Sequence, residues 1–196
     1  MPANELKPTL AKGAKLNADT WADFVTRLKY HCEGDGVDDH CTADPLFVVQ
    51  TKRLISGIDM DYTDQYLVHC DDSNWFSPQE YWDDLDDERQ AEIDAECCEE
   101  YNATFLNMKE HQQWDYLGAL EDHTVTGYAW EWEYVNAHFT REAAEAFINR
   151  KKHDYGKMQI FVDSQYWAWE FNAIRNAILN GQLAFVGEIT EEAQHG

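Results

Sequence analysis

Between Asp59 and Glu100 the chain carries sixteen acidic residues against one formal cation, Arg89. Within that stretch Trp82, Leu85, Ile93 and Cys97 form a narrow apolar stripe, with gaps of three, eight and four residues. A fold that accepts this segment must bury one side of it and leave the other sides strongly negative. Ser77-Pro78-Gln79-Glu80 opens it with a capping serine, a proline at the first helical position and a glutamate three residues after the cap, which is a strong helix start. The run from Gln79 towards Glu100 reads as one long helix, or as two broken near Asp86-Asp87.

The acids are not spread evenly. Residues 1–58 hold 8 acids and 7 bases, residues 59–134 hold 22 and 2, and residues 135–196 hold 8 and 6, within a formal net charge of −23. A salt-adapted chain would distribute acids over every surface, so the confinement to the middle points to a dedicated face. The ordinary alternative is a solvated surface that keeps the protein soluble.

Eight Trp, ten Tyr and nine Phe, with 44% hydrophobic residues, provide ample core material and set the chain apart from acidic disordered tails. No apolar run approaches eighteen residues, and MPANELKPTLAKGAK lacks the apolar stretch of a signal peptide. A cytoplasmic protein is expected. Five cysteines without the spacing of a disulfide scaffold fit a reducing compartment as free thiols.

Residues 1–16 read as a mobile lead-in and residues 17–196 as a single α+β domain with an acidic helical region at about 77–121. Asn17 or Asp19 caps a helix over about 19–31, with Trp21, Phe24, Val25 and Leu28 at helical spacing, stopped at Gly34. Gly34–Asp44 is turn-rich loop. Leu46–Gln50 is a strand, and Lys52–Ile58 is either its continuation or its hairpin partner. Gln65–Cys70 is a further strand, Tyr66 and Val68 on one face and Leu67 and His69 on the other. Ala103–Leu120 reads as a helix with Phe105, Met108, Gln112 and Tyr116 near one face. Thr124–Phe139 reads as one or two strands, rich in β-branched and aromatic residues. Thr140 caps a helix over about 141–152, Met158–Val162 is a strand, and Ser164 caps a last helix through Asn180, ended by Gly181. The mixture predicts an α+β fold of small antiparallel sheet packed with helices.

In the C-terminal third, HFTREAAEAFINRKKHDY followed by QIFVDSQYWAWEFNAIRNAIL resembles a recurring pattern in small proteins of bacteriophages, prophages and plasmids. The matching positions are Phe139, Thr140, Ala144, Ile148, His153, Val162, Ser164, Tyr166, Glu170 and Ile174. The earlier GVDDHCTADPLFVVQTKRLISGIDMDYTD resembles the upstream part of the same kind of protein. The resemblance implies a mobile-element setting, hence a bacterial host cytoplasm, and no catalytic residue.

Metal chemistry has weak support. His31-Cys32, His40-Cys41, His69-Cys70 and Cys97-Cys98 supply zinc-type ligands, yet there is no Cys-x-x-Cys and adjacent ligands rarely point at one ion. Asp59-x-Asp61-x-Thr63 opens like a calcium loop, but its sixth position is Asp64 and its twelfth Cys70. No metal or cofactor is expected, and no enzyme activity. His153-Asp154-Tyr155 reads as a helix end whose Lys151, Lys152 and His153 complement the dipole. Trp130, Trp132, Trp167 and Trp169 read as core or interface packing; base stacking would need nearby cations.

The function follows from charge. If helical throughout, Glu80 to Glu100 spans roughly 30 Å. It carries Glu80, Asp83, Asp84, Asp86, Asp87, Glu88, Glu92, Asp94, Glu96, Glu99 and Glu100, about one charge per 2.8 Å against about 3.4 Å along a DNA strand. These eleven are the candidate partner-binding residues of a mobile-element inhibitor. Its expected partner is a host DNA- or RNA-binding defence complex, a CRISPR or restriction effector, engaged by partial DNA mimicry without direct nucleic-acid or membrane binding. The alternatives are a regulatory interaction protein with a merely solubilising acidic face, and a small metal-dependent enzyme.

Overall fold

The computed structural model describes residues 7–187. Among them are seven helices and five strands, the strands forming an antiparallel sheet, as the α+β reading expects. The helices are α1 (Ala18–Glu33), α2 (Gly36–His40), α3 (Pro78–Asp83), α4 (Asp87–Tyr101), α5 (Glu110–Ala119), α6 (Arg141–Lys151) and α7 (Trp169–Leu179). The strands are β1 (Pro45–Ile58), β2 (Tyr66–Cys70), β3 (Ser73–Trp75), β4 (Thr124–His138) and β5 (Met158–Ser164), in the sheet order β3-β2-β4-β1-β5. Of the lead-in, residues 1–6 lie outside the described residues; Leu10–Lys12 forms a single 3-10 turn closed by Gly13 at φ 82°.

The chain divides into two compact units. One joins two segments, up to Lys52 and from Trp132 onward; the other is the continuous stretch Arg53–Glu131. In the two-segment unit α1 is held by a full capping box, in which Asn17 Oδ1 accepts from Thr20 N–H and Thr20 Oγ1 accepts from Asn17 N–H, both at 2.9 Å. Its apolar face brings Leu28 and Cys32 against Ile178 and Leu179 of α7. Phe47 and Val49 of β1 pack with Ala144 of α6, and Ile160 and Val162 of β5 join them. Arg175 is buried and reaches Asp44 at 2.6 Å.

The continuous unit has its own core of Val68, Tyr81, Ile93, Cys97, Phe105, Met108, Trp114, Tyr116 and Leu117. Ring contacts fix its shape: Trp82 stacks on Phe105 at 5.4 Å, and Tyr66 meets Trp114 edge-on at 5.9 Å. Gly127 of β4 is required there, because a Cβ would lie 2.7 Å from the Ile58 carbonyl oxygen and collide with the Thr63 methyl.

Several local expectations change. The Gly34–Asp44 loop contains α2, whereas Lys52–Ile58 follows one of its two expected courses, continuing Leu46–Gln50 as the single strand β1. The acidic run takes the second of its two expected forms, two helices broken near Asp86-Asp87: α3 ends at Asp83, and Asp86, extended at ψ 163°, caps α4 by accepting from Arg89 N–H at 2.8 Å. Ala103–Leu120 is not one helix. Met108 and Lys109 are extended, and a 3-10 turn at Phe105–Asn107 precedes α5, which lets Phe105 and Met108 both enter the core. Ser164 is not a helix cap: it ends β5 opposite Pro45, its hydroxyl lies 3.0 Å from that of Thr42, and α7 starts at Trp169. Thr140 precedes α6 but makes no side-chain cap; it is buried, and its carbonyl takes the Ala143 and Ala144 N–H groups. Leu67 and Val68 are both fully buried, so β2 is covered on both faces around them.

Candidate functional site

The continuous unit Arg53–Glu131 contains 21 acidic residues and three basic ones, Arg53, Arg89 and Lys109. Twenty of those acids are exposed; Asp94 alone is half-buried. The charge asymmetry of the sequence is therefore a property of one compact unit, and it covers that unit's surface instead of a single helix.

The candidate residues divide by what their carboxylates hold. Glu80 accepts from Phe76 N–H at 2.7 Å, reaching past its own cap Ser77, which accepts from Glu80 N–H at 3.1 Å. Asp84 accepts from the Trp75 indole at 3.1 Å and Asp83 from Gln79 at 2.7 Å. Asp86 is the cap of α4. Glu92 engages Arg89 at 2.9 Å, occupying the one cation on either acidic helix. Asp94 accepts from Phe105 N–H at 2.9 Å, and Glu96 from the Tyr116 hydroxyl at 2.5 Å. Burial and the Glu96 carboxylate together raise the Tyr116 phenol well above its ordinary value. Glu100 acts on the adjacent Tyr101 phenol, whose proton affinity burial raises first and Glu100 raises further. Asp87, Glu88 and Glu99 are exposed and hold no side-chain hydrogen bond among the described residues.

Helical geometry brings part of this set together. With Ile93 and Cys97 of α4 buried, residues four, eight and eleven positions after Glu88 fall on one flank, which aligns Glu88, Glu92, Glu96 and Glu99. Their spacing is about 5 Å per charge along the axis, sparser than the ~3.4 Å of a DNA strand. Glu80, Asp83, Asp84 and Asp86 lie on α3 and the break after it, so a continuous acidic rod of eleven charges does not exist. Asp94 faces another flank and serves the chain turn at Phe105.

The other constellations do not assemble. Among the described residues no three His, Cys, Asp or Glu side chains come together to hold a metal. His31 is buried with Nε2 3.0 Å from Glu142, and Cys32 belongs to the core beside it, burial pushing its thiol up to about 11. Asp59 accepts from Asp61 N–H at 3.0 Å and closes a 3-10 turn. His153, Asp154 and Tyr155 are exposed at the end of α6, where Lys151 meets Asp154 at 2.6 Å. Trp167 and Trp169 are 78% and 76% exposed, which rules out core packing for that pair. No helix among the described residues is long and apolar enough to cross a membrane.

Sequence reasoning missed the structural duties of Asp94 and Glu96. Their partners Phe105 and Tyr116 lie eleven and twenty residues away, beyond the reach of any local pattern. Comparison with protein-family models, curated proteins and solved structures gives no match for this chain.

Proposed function

We propose that the chain is an acidic inhibitor encoded by a mobile element, which binds a host nucleic-acid-binding defence complex, a CRISPR or restriction effector, by partial mimicry of DNA. The observation that carries this reading is the concentration of exposed carboxylates on one compact, aromatic-cored unit. Such a surface competes for a basic groove by releasing bound counterions, so binding gains from steered association and weakens steeply with salt.

A second feature favours binding over simple solubility. The last turn of α4 contains Glu99 and Glu100 and no basic residue. Negative charge at a helix C-terminus opposes the macrodipole and costs about 0.3–1 kcal/mol per charge. Solubility is served equally well by acids at other surface positions, where that cost is absent.

The test is a pull-down with the full-length tagged chain from bacterial extracts containing CRISPR and restriction effectors, eluted with a salt gradient. A nucleic-acid-binding effector released by moderate salt, and lost from a Glu88→Lys/Glu99→Lys variant that keeps its fold, is the expected result. Retention of that effector by the charge-reversed protein would overturn the mimicry mechanism. Recovery only of salt-resistant partners without a basic groove would instead favour a regulatory interaction protein with a solubilising surface.

A further inference from the structure

The two-segment unit ends its sheet on β5, whose only strand neighbour among the described residues is β1. The phase of that ladder shows which way the β5 backbone points. Gln165 N–H donates to the Asp44 carbonyl at 2.7 Å, and Lys52 N–H donates to the Lys157 carbonyl at 2.8 Å. Bonded and non-bonded pairs alternate in an antiparallel ladder, so the odd-numbered residues of β5 bond to β1. The N–H and C=O groups of Ile160 and Val162 are thus directed to the open edge, where no hydrogen bond among the described residues takes them.

The middle of this edge carries no charged or proline protection; Lys157 and Asp163 flank it. From Met158 to Val162 there is no lysine, proline or charge, and Phe161, at the midpoint of the strand, is 50% exposed. The side chains of Met158, Ile160 and Val162 pack into the core with Ala144 and Phe147 of α6, which leaves Phe161 on the other face.

We propose that β5 is a self-pairing edge: two copies of this chain join β5 to β5 antiparallel about a two-fold axis at Phe161. In that register all seven residues of the strand are paired. Phe161 faces Phe161 of the second copy in a non-bonded pair, where side chains approach most closely, and Ile160 exchanges both backbone hydrogen bonds with Val162 of that copy. Gln159 stands opposite Asp163, and Lys157 stands diagonal to Asp163 on the same face, twice by symmetry. The charges therefore complement each other in this register. Both Lys157 and Asp163 are exposed in the single chain. Self-pairing does not involve the acidic unit and has the opposite salt dependence: the net charge of −23 makes the copies repel, so added salt strengthens it.

The experiment is sedimentation equilibrium on the full chain over a concentration series up to submillimolar, with three substitutions in the exposed face of the strand. The expected result is a mass that rises towards twice 22.8 kDa and does so at lower protein concentration in higher salt. Phe161→Lys, which sets like charges face to face, weakens association at least tenfold. Lys157→Glu and Asp163→Lys each weaken it, and the two together restore it, a rescue that a folding defect would not produce. A mass fixed at 22.8 kDa throughout overturns the proposal. So does a dimer unaffected by Phe161→Lys, or a double swap no better than either single change.

Discussion

The Tyr116 hydroxyl donates to the Glu96 carboxylate at 2.5 Å, tying a core side chain of α5 to one of the exposed acids of α4. A hydrogen bond to a charged acceptor contributes about 1.5–3 kcal/mol. Tyr116→Phe is expected to lower unfolding free energy in urea by about that amount while leaving the negative charge, and hence partner binding, in place. Glu96→Gln separates the two duties in the opposite sense, keeping an acceptor for Tyr116 and removing the charge.

Glu99→Lys is expected to act oppositely on stability and binding. Placing a cation in the last turn of α4 gains about 0.3–1 kcal/mol from the macrodipole and removes a carboxylate from the acidic flank. A raised midpoint in thermal unfolding together with weaker partner capture is the signature. A lowered midpoint would mean that Glu99 has a structural role.

Stability is expected to fall on the alkaline side. Burial pushes the Cys97 thiol up to about 11, with Asp94 and Glu96 adding to the effect. The Cys32 thiol is raised to about 11 by burial, partly offset by Arg175. A group whose folded value is raised binds its proton more tightly when folded. Its contribution is complete below the ordinary thiol value near 9 and is lost as pH climbs towards 11. Urea unfolding at intervals from pH 8 to 11 should show this decline, and Cys97→Ala should start from lower stability and fall less steeply.

Asp44→Asn is expected to destabilise the protein by about 3 kcal/mol or more, because it leaves the buried Arg175 guanidinium without its counter-charge. Arg175→Met together with Asp44→Asn should recover much of the loss, since the uncompensated charge is then gone. Denaturant midpoints of the single and double variants decide this.

Gly127→Ala tests a different kind of constraint. The added methyl has nowhere to go without moving the Ile58 backbone, so a loss of about 1–3 kcal/mol is expected despite the conservative change. An unaltered unfolding curve would show that β4 shifts freely at that point.

What was legible in the sequence depended on how local each signal is. Ser77 caps its helix as read, and Asn17, one of the two caps offered with Asp19, caps the other, because a cap is decided by three or four neighbouring residues. Of the stripe Trp82, Leu85, Ile93 and Cys97, the last two are fully buried and the first two pack, partly buried, against the same core. Ser164 failed as a cap because pairing with Pro45, far away in the chain, claims its backbone for β5. The break in the Ala103–Leu120 helix was hidden for a similar reason: it depends on Asp94 holding Phe105 N–H and on the burial of Met108. For the acidic residues, the sequence displayed their number and their confinement. It did not display which of them are also hydrogen-bond acceptors for the fold, since those partners are placed by tertiary packing.

The pairing of Pro45 with Ser164 sets an order in time as well as in space. A ribosome delivers every residue of the continuous unit before it has made β5 or α7. The core around Phe105 and Trp114 can therefore close while the apolar faces of α1 and β1 are still waiting for Ile178, Leu179, Ile160 and Val162. Long-separated contacts of this kind form slowly, and exposed apolar surface during the wait invites aggregation. The nascent chain passes through that interval already carrying most of its negative charge, so electrostatic repulsion between neighbouring nascent chains is present from the moment the vulnerable surfaces are.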